Sequence, residues 1–287
     1  MDTPAVQRSV TLWLTLDLRG VVAFFICFLL SAPAFSAYSV PSTLPETRLE
    51  PHVGYACDAT GVMPFQAALA LPREPLPEQG IRFGYRQQAR CWFGFSLLNE
   101  EAETQHLLLD LDYGLLDHIE LYWLEDGEWQ RLETGDAVPF FERALPTRKH
   151  LLPIRLPPGE VVQFQVSIQT INSFFAPLRL WQSDAFYEAY LLKDWQIGVF
   201  YGIGIGMLLY NLFLWVSFRE HTFLWYVLYV GTTMMNLAGW HGLYHRLWPD
   251  AVEFNNLLLQ NMMYIAAIAT MQFARSFLDT RDWPAMD

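Results

Sequence analysis

Three aspartates, Asp110, Asp112 and Asp117, fall near the spacing at which acidic side chains encircle a calcium ion. Such a loop needs an oxygen ligand at its fifth position, glycine at its sixth and a bidentate glutamate at its twelfth. Counted from Asp110, those positions hold Gly114, Leu115 and Leu121, so the aspartates read as surface strand carboxylates. His52, His106, His118 and His150 show no ligand spacing, and no CxxC or Cys/His cluster exists. No metal or other cofactor is expected. The chain also lacks GxSxG, HExxH and Walker loops, so no catalytic residue can be nominated and an enzyme is not expected.

Binding chemistry is better represented. Arg143, Arg148, Lys149 and His150 form a basic cluster within an acidic stretch. With Trp181 and the pairs Phe140-Phe141 and Phe174-Phe175 they can line a ligand surface, because rings stack on sugars and cations and arginine clamps carboxylates. The alternative is a solvated turn beside ordinary core aromatics. Cys57 and Cys91 can form one disulfide in an oxidising compartment, contributing about 3 kcal/mol, or remain buried free thiols. Cys27 lies in an N-terminal apolar run.

Gly198, Gly202 and Gly206 recur every four residues, which on a helix makes one smooth face for close backbone packing, with Asn211 on the same segment. Gly202-x-Gly204-x-Gly206 lacks the preceding strand and spacing of a nucleotide loop. Asn211, Asn236, His241, Gln260, Asn261 and Gln272 recur within apolar runs. In hydrocarbon each needs a partner, and interhelical hydrogen bonds are the favoured reading over a transport pathway. No charged residue lies mid-run, which argues against a proton- or ion-coupled transporter.

The elements that carry these residues divide the chain. Hydrophobic residues make up 53%, aromatics 16% and charged residues only 17%, below the usual charged share of about 25%. Most acid in the net charge of −12 lies between residues 46 and 194, separating a water-soluble part from a lipid-soluble one. Such an acidic domain repels phosphate backbones, so nucleic acid is not an expected partner. Residues 1–37 read as a signal peptide: Arg8 and Arg19 precede the apolar run Val21 to Leu30, and Ala32, Ala34 and Ser36 suit cleavage. An uncleaved anchor is the alternative, and either one exports the domain C-terminal to it.

Residues 38–190 read as β structure, with no helical period interrupting it. Trp92 to Leu98 and Leu107 to Asp112 are short apolar runs. Asp126-Gly127, between the run ending at Trp123 and Trp129 to Glu133, predicts a type I′ hairpin. Val162, Phe164, Val166 and Ile168 alternate with polar residues, giving one buried face. A β-sandwich or jelly roll is predicted. Three apolar spans come next at 195–218, 223–244 and 257–274, each near the ~20 residues of a bilayer crossing, before a tail at 275–287. Trp195, Tyr201, Trp225, Tyr244 and Trp248 lie near span ends, where amphipathic rings favour the headgroup layer. With the β domain outside, Arg219, Arg275 and Arg281 fall inside against Arg246 outside, which places the C-terminus in the cytoplasm.

Several segments resemble a bacterial receptor family. Arg90 to Phe95, Leu116 to Tyr122, Thr134-Gly135-Asp136 with Pro139-Phe140, Arg148 to Pro153, Leu156 to Gly159 and Pro177 to Trp181 are similar to its extracellular domain. Tyr201 to Leu214, Tyr226 to Tyr229 and Phe273 to Leu278 resemble its membrane part. The family is the seven-transmembrane receptors with diverse intracellular signalling modules (7TMR-DISM), here with the type-2 extracellular domain. The resemblance implies a jelly-roll sensor similar to carbohydrate-binding modules, then seven helices and an output such as a diguanylate cyclase or histidine kinase. A chain with three spans is then expected to be a receptor fragment, truncated after the third. Its expected place is the bacterial inner membrane, with the sensor in the periplasm, and its expected role is to sense a sugar or carboxylate. Expected partners are the bilayer, a small-molecule ligand and a membrane partner or second copy. The alternative is a non-sensing assembly subunit whose exported domain binds another protein.

Overall fold

Alternation of apolar and polar residues makes each strand two-faced, and two sheets bury their apolar faces against each other. The computed structural model describes residues 36–85 and 89–278. All but the last two of the signal-peptide residues 1–37, Cys27 included, and Arg281 lie outside them. Among the described residues thirteen strands run in chain order: β1 Tyr38–Ser39, β2 Glu46–Arg48, β3 Gly54–Asp58, β4 Glu74–Pro75, β5 Arg82–Tyr85, β6 Arg90–Leu98, β7 Gln105–Asp110, β8 His118–Glu125, β9 Glu128–Thr134, β10 Leu151–Leu156, β11 Val161–Gln169, β12 Ser173–Phe175 and β13 Arg179–Gln182. The first sheet has the order β4-β3-β6-β11-β8-β9, with β1 added in parallel to the end of β6. The second has the order β10-β7-β13-β2, and β12 pairs with β5 separately.

Phe93, Phe95 and Leu97 of β6 and Phe164, Val166 and Ile168 of β11 point inward from the first sheet. Leu107 and Leu109 of β7, Leu152 and Ile154 of β10 and Leu180 of β13 meet them from the second. All are under 4% exposed, and each such side chain contributes roughly 1.5–3 kcal/mol on burial. The β8–β9 turn has positive φ at both Asp126 (52°) and Gly127 (84°), as a type I′ hairpin demands. A short helix, α1 (Phe65–Leu69), does interrupt the strands; five residues give too little periodicity to be read in advance.

Beyond the strands lie the helices α2 (Ser183–Phe218), α3 (His221–Trp240), α4 (Leu243–Leu247) and α5 (Val252–Leu278). Two of them, α2 and α5, are long and apolar enough to cross a membrane. The 36 residues of α2 extend about 54 Å, well beyond a hydrocarbon core of ~30 Å. Its first dozen residues therefore form a stem that continues β13 without a loop. Asn236 Nδ2 donates to the Leu259 carbonyl (3.3 Å), and the Thr222 and Ser276 hydroxyls lie 2.7 Å apart, joining α3 to α5. Asn211 and Asn261 bond within their own helices. Tyr244 is 2% exposed with its hydroxyl on the Met235 carbonyl, so its ring is packed inside rather than lying in a headgroup layer. Among the described residues nothing lies within 4 Å of the positions where side chains would begin at Gly198, Gly202 and Gly206, whereas Gly204 packs on Met234.

Cys57 and Cys91 are register partners on β3 and β6 and are disulfide-bonded. The bond closes a loop of 34 residues, so the double variant Cys57→Ala, Cys91→Ala is expected to lose about 3 kcal/mol of unfolding free energy in denaturant titration.

Candidate functional site

The second sheet has an outer face as well as an inner one. Leu108 and Leu151 point outward from it, and Phe186, in the first turns of α2, packs on them beside half-buried Leu145, Trp181 and Tyr190. The Phe186 ring is T-shaped to Trp181 (5.7 Å) and stacked on Tyr190 (5.5 Å). Phe186, Tyr190 and Asp194 recur at four-residue spacing and so share one helix face.

Arg148 meets that face. Its Nη2 pairs with Asp194, its guanidinium lies 5.1 Å from the Tyr190 ring centre, and its Nη1 donates to the His241 carbonyl at 3.3 Å. His241 is the C-cap of α3, where carbonyls lack helical partners, so the guanidinium satisfies a helix end while bridging two helices. The next residue, Gly242, has φ 73°, and a Cβ there would stand 2.7 Å from the Arg148 carbonyl. Both constraints favour glycine. The Phe140 amide donates to the Pro249 carbonyl at 3.2 Å, a second link from the β domain to the segment between α3 and α5.

Lys149 binds Asp110 Oδ2 and Asp112 Oδ1, each at 2.7 Å. Asp110 is 1% exposed, so it is an ion-pair partner rather than a surface carboxylate. Burial pulls the Lys149 ammonium down, and the two aspartates outweigh it to leave its pKa raised. Among the described residues no group of acidic, histidine or cysteine side chains is arranged to hold a metal ion.

Behind Arg148 lies an enclosed polar cluster. Asp136, Arg143 and His150 are each under 5% exposed. Arg143 donates through Nε to the Val138 carbonyl (3.0 Å), while Nη1 and Nη2 have no hydrogen-bond partner among the described residues. His150 Nε2 lies 3.2 Å from the Gly114 carbonyl, leaving Nδ1 without a partner there. Gly135 holds φ 144°, and any side chain would strike the Asp117 carbonyl, so glycine is required where the chain delivers Asp136. Burial, with Asp117 adding to it, pushes Asp136 up to about 7 against the pull of Arg143. Burial, reinforced by Arg143, pushes His150 down to about 3, and burial lowers Arg143 to about 10 against Asp136.

The expected ligand-binding residues Arg143, Arg148 and His150 thus gather at the contact between β domain and helices. Trp181 joins the Phe186 cluster, with its Nε1 buried and lacking a hydrogen-bond partner among the described residues. Phe140 is buried and Phe141 exposed, whereas Phe174 lies in the main core. A cavity of about 390 Å³ opens beside the contact, lined among others by Tyr113, Arg148, Lys193 and Trp240. Sequence reasoning missed Asp194, Gly242 and Pro249, whose roles depend on which segments meet.

The β domain is thus docked on the ends of apolar helices, two of which are long and apolar enough to cross a membrane. Two family models match in the same order: 7TMR-DISM extracellular 2 over residues 50–182, and 7TM diverse intracellular signalling over residues 194–286. The chain belongs to the 7TMR-DISM receptors, membrane receptors with an extracellular sensor domain. No curated protein matches it.

The buried groups set a pH dependence. Unfolded, Asp136 titrates near 3.8; folded, it holds its proton to about 7. Between these values the folded state keeps a proton that the unfolded state has lost, so raising the pH through this window removes stability. His150 acts oppositely, removing stability as pH falls from about 6.5 toward 3. Comparing melting temperatures of Asp136→Asn and the parent from pH 4 to pH 7 should show the difference moving steadily in the variant's favour.

Proposed function

We propose that this chain senses a periplasmic ligand and transmits its presence across the bacterial inner membrane, with its C-terminus in the cytoplasm. The observation that carries this reading is Arg148, one side chain that ties a sensor loop to both α2 and α3. In this account the two-sheet domain is a jelly roll and the ligand is a sugar or carboxylate entering the cavity beside Arg148. Lys193 supplies a further cation there, and Tyr113 and Trp240 supply rings. The protein binds and switches without catalysis, and its partners are the bilayer and a small molecule, not nucleic acid. Transmission results if ligand changes the contacts that Arg148 makes, because a ligand shifts an equilibrium only by its differential affinity for the two states.

A second reading is a non-sensing assembly subunit or a homo-oligomer. The open glycine face at Gly198, Gly202 and Gly206 favours it, since a partner helix can approach closely there.

Thermal unfolding of the full chain in nanodiscs, against a panel of sugars and carboxylates, separates the two. Ligand at 100 times its Kd adds about 2.7 kcal/mol to stability, so at least one compound should raise the melting temperature, and Arg148→Ala should abolish the rise. No shift across the panel, with a stoichiometric protein co-purifying, would favour the assembly subunit.

A further inference from the structure

A larger cleft, of about 700 Å³, lies between the β8–β9 side of the first sheet and the β10–β7 side of the second. Its volume falls within the range of small-molecule sites, roughly 300–1,000 Å³. Its lining is partly apolar and accessible: Leu124 is exposed, and Leu132 and Val162 are half-buried. Trp123 stands in the wall, with its Nε1 donated to Glu125 Oε2 at 3.2 Å, which fixes the indole beside a carboxylate. The rim adds Asp126 and Glu160, both exposed and without an ion pair among the described residues, against one guanidinium, that of Arg155. Asp126 is held on the rim by the positive-φ hairpin turn.

We propose that this cleft binds a small organic cation, an aromatic or branched aliphatic body ending in an ammonium group. The body covers the accessible surface of Leu124, Leu132 and Val162 and is removed from water there. The ammonium sits against the Trp123 ring, whose face attracts cations, with the carboxylates of Glu125, Asp126 and Glu160 around it. Three carboxylates against one guanidinium make the rim select against an anion of the same shape. This site is separate from the cavity beside Arg148 and has the opposite charge preference. Ser183 and Tyr187, from the first turns of α2, close one side, so the occupant touches the helix that continues toward the membrane. That consequence rests on the receptor reading; the binding itself does not.

Isothermal titration of the full chain in nanodiscs of zwitterionic lipid, with 4-phenylbutylamine and the uncharged isostere 4-phenylbutanol, tests the assignment. The amine should bind saturably and about tenfold tighter than the alcohol. The double variant Asp126→Asn, Glu160→Gln changes only exposed side chains, and it should cut most of the amine's advantage over the alcohol, leaving the part owed to Trp123 and Glu125, with the melting temperature unchanged. An amine no tighter than the alcohol, or a preference left undiminished by the double variant, overturns the proposal. If the amine fails while a sugar or carboxylate still raises the melting temperature, the cation site falls and the receptor reading stands. If the amine binds with amide exchange in the first turns of α2 unaltered, the site stands and transmission through the stem falls.

Discussion

A guanidinium withdrawn from water must keep every partner it has, because an uncompensated buried charge costs several kcal/mol. The Arg148 side chain is 9% exposed, and its partners come from two helices: the Asp194 carboxylate and Tyr190 ring on α2, and the His241 carbonyl that ends α3. Moving the β domain away from any one of them unpairs the others. The rest of the junction is shaped to this requirement. Gly242 leaves room for the Arg148 backbone, Phe140 bonds to Pro249, and Lys149 anchors the same loop to Asp110 and Asp112.

The second sheet is the mechanical link, since both of its faces carry apolar residues. Its inner face completes the main core, and its outer face receives Phe186 from the stem of α2. A strand that runs directly into a helix leaves no slack between them, and β13 ends at Gln182 where α2 begins at Ser183.

Much of the β domain was legible because period-two patterns and turn chemistry are local. The Asp126-Gly127 hairpin and the alternating residues of β11 depend on neighbours in sequence, and both appear where the pattern places them. The beginning of α2 was hidden for the opposite reason. Asp184, Glu188, Lys193 and Asp194 make the stem too polar for a hydropathy window, although Phe186 and Tyr190 at four-residue spacing carry a helical signal. Residues 143–150 stood out as a basic cluster, but nothing local reveals that Lys149 meets Asp110. That pairing comes from the register that sets Leu151 opposite Asp110 across β10 and β7. The destination of Arg148 was equally invisible, since its partners lie 46 and 93 residues away. The Asp126 and Glu160 carboxylates likewise come to one rim only through the fold.

Arg148 docks the sensor domain onto the helix ends. Hydrogen–deuterium exchange of the full chain in nanodiscs tests it most directly, comparing the parent with Arg148→Ala. Exchange should be faster in the variant at the Phe140 amide, in the segment from His241 to Trp248 and along the stem from Ser183 to Asp194. Strands β6 and β11 should stay as protected as in the parent. Unchanged exchange across the junction, or a loss of protection spread evenly through the β core, would contradict it.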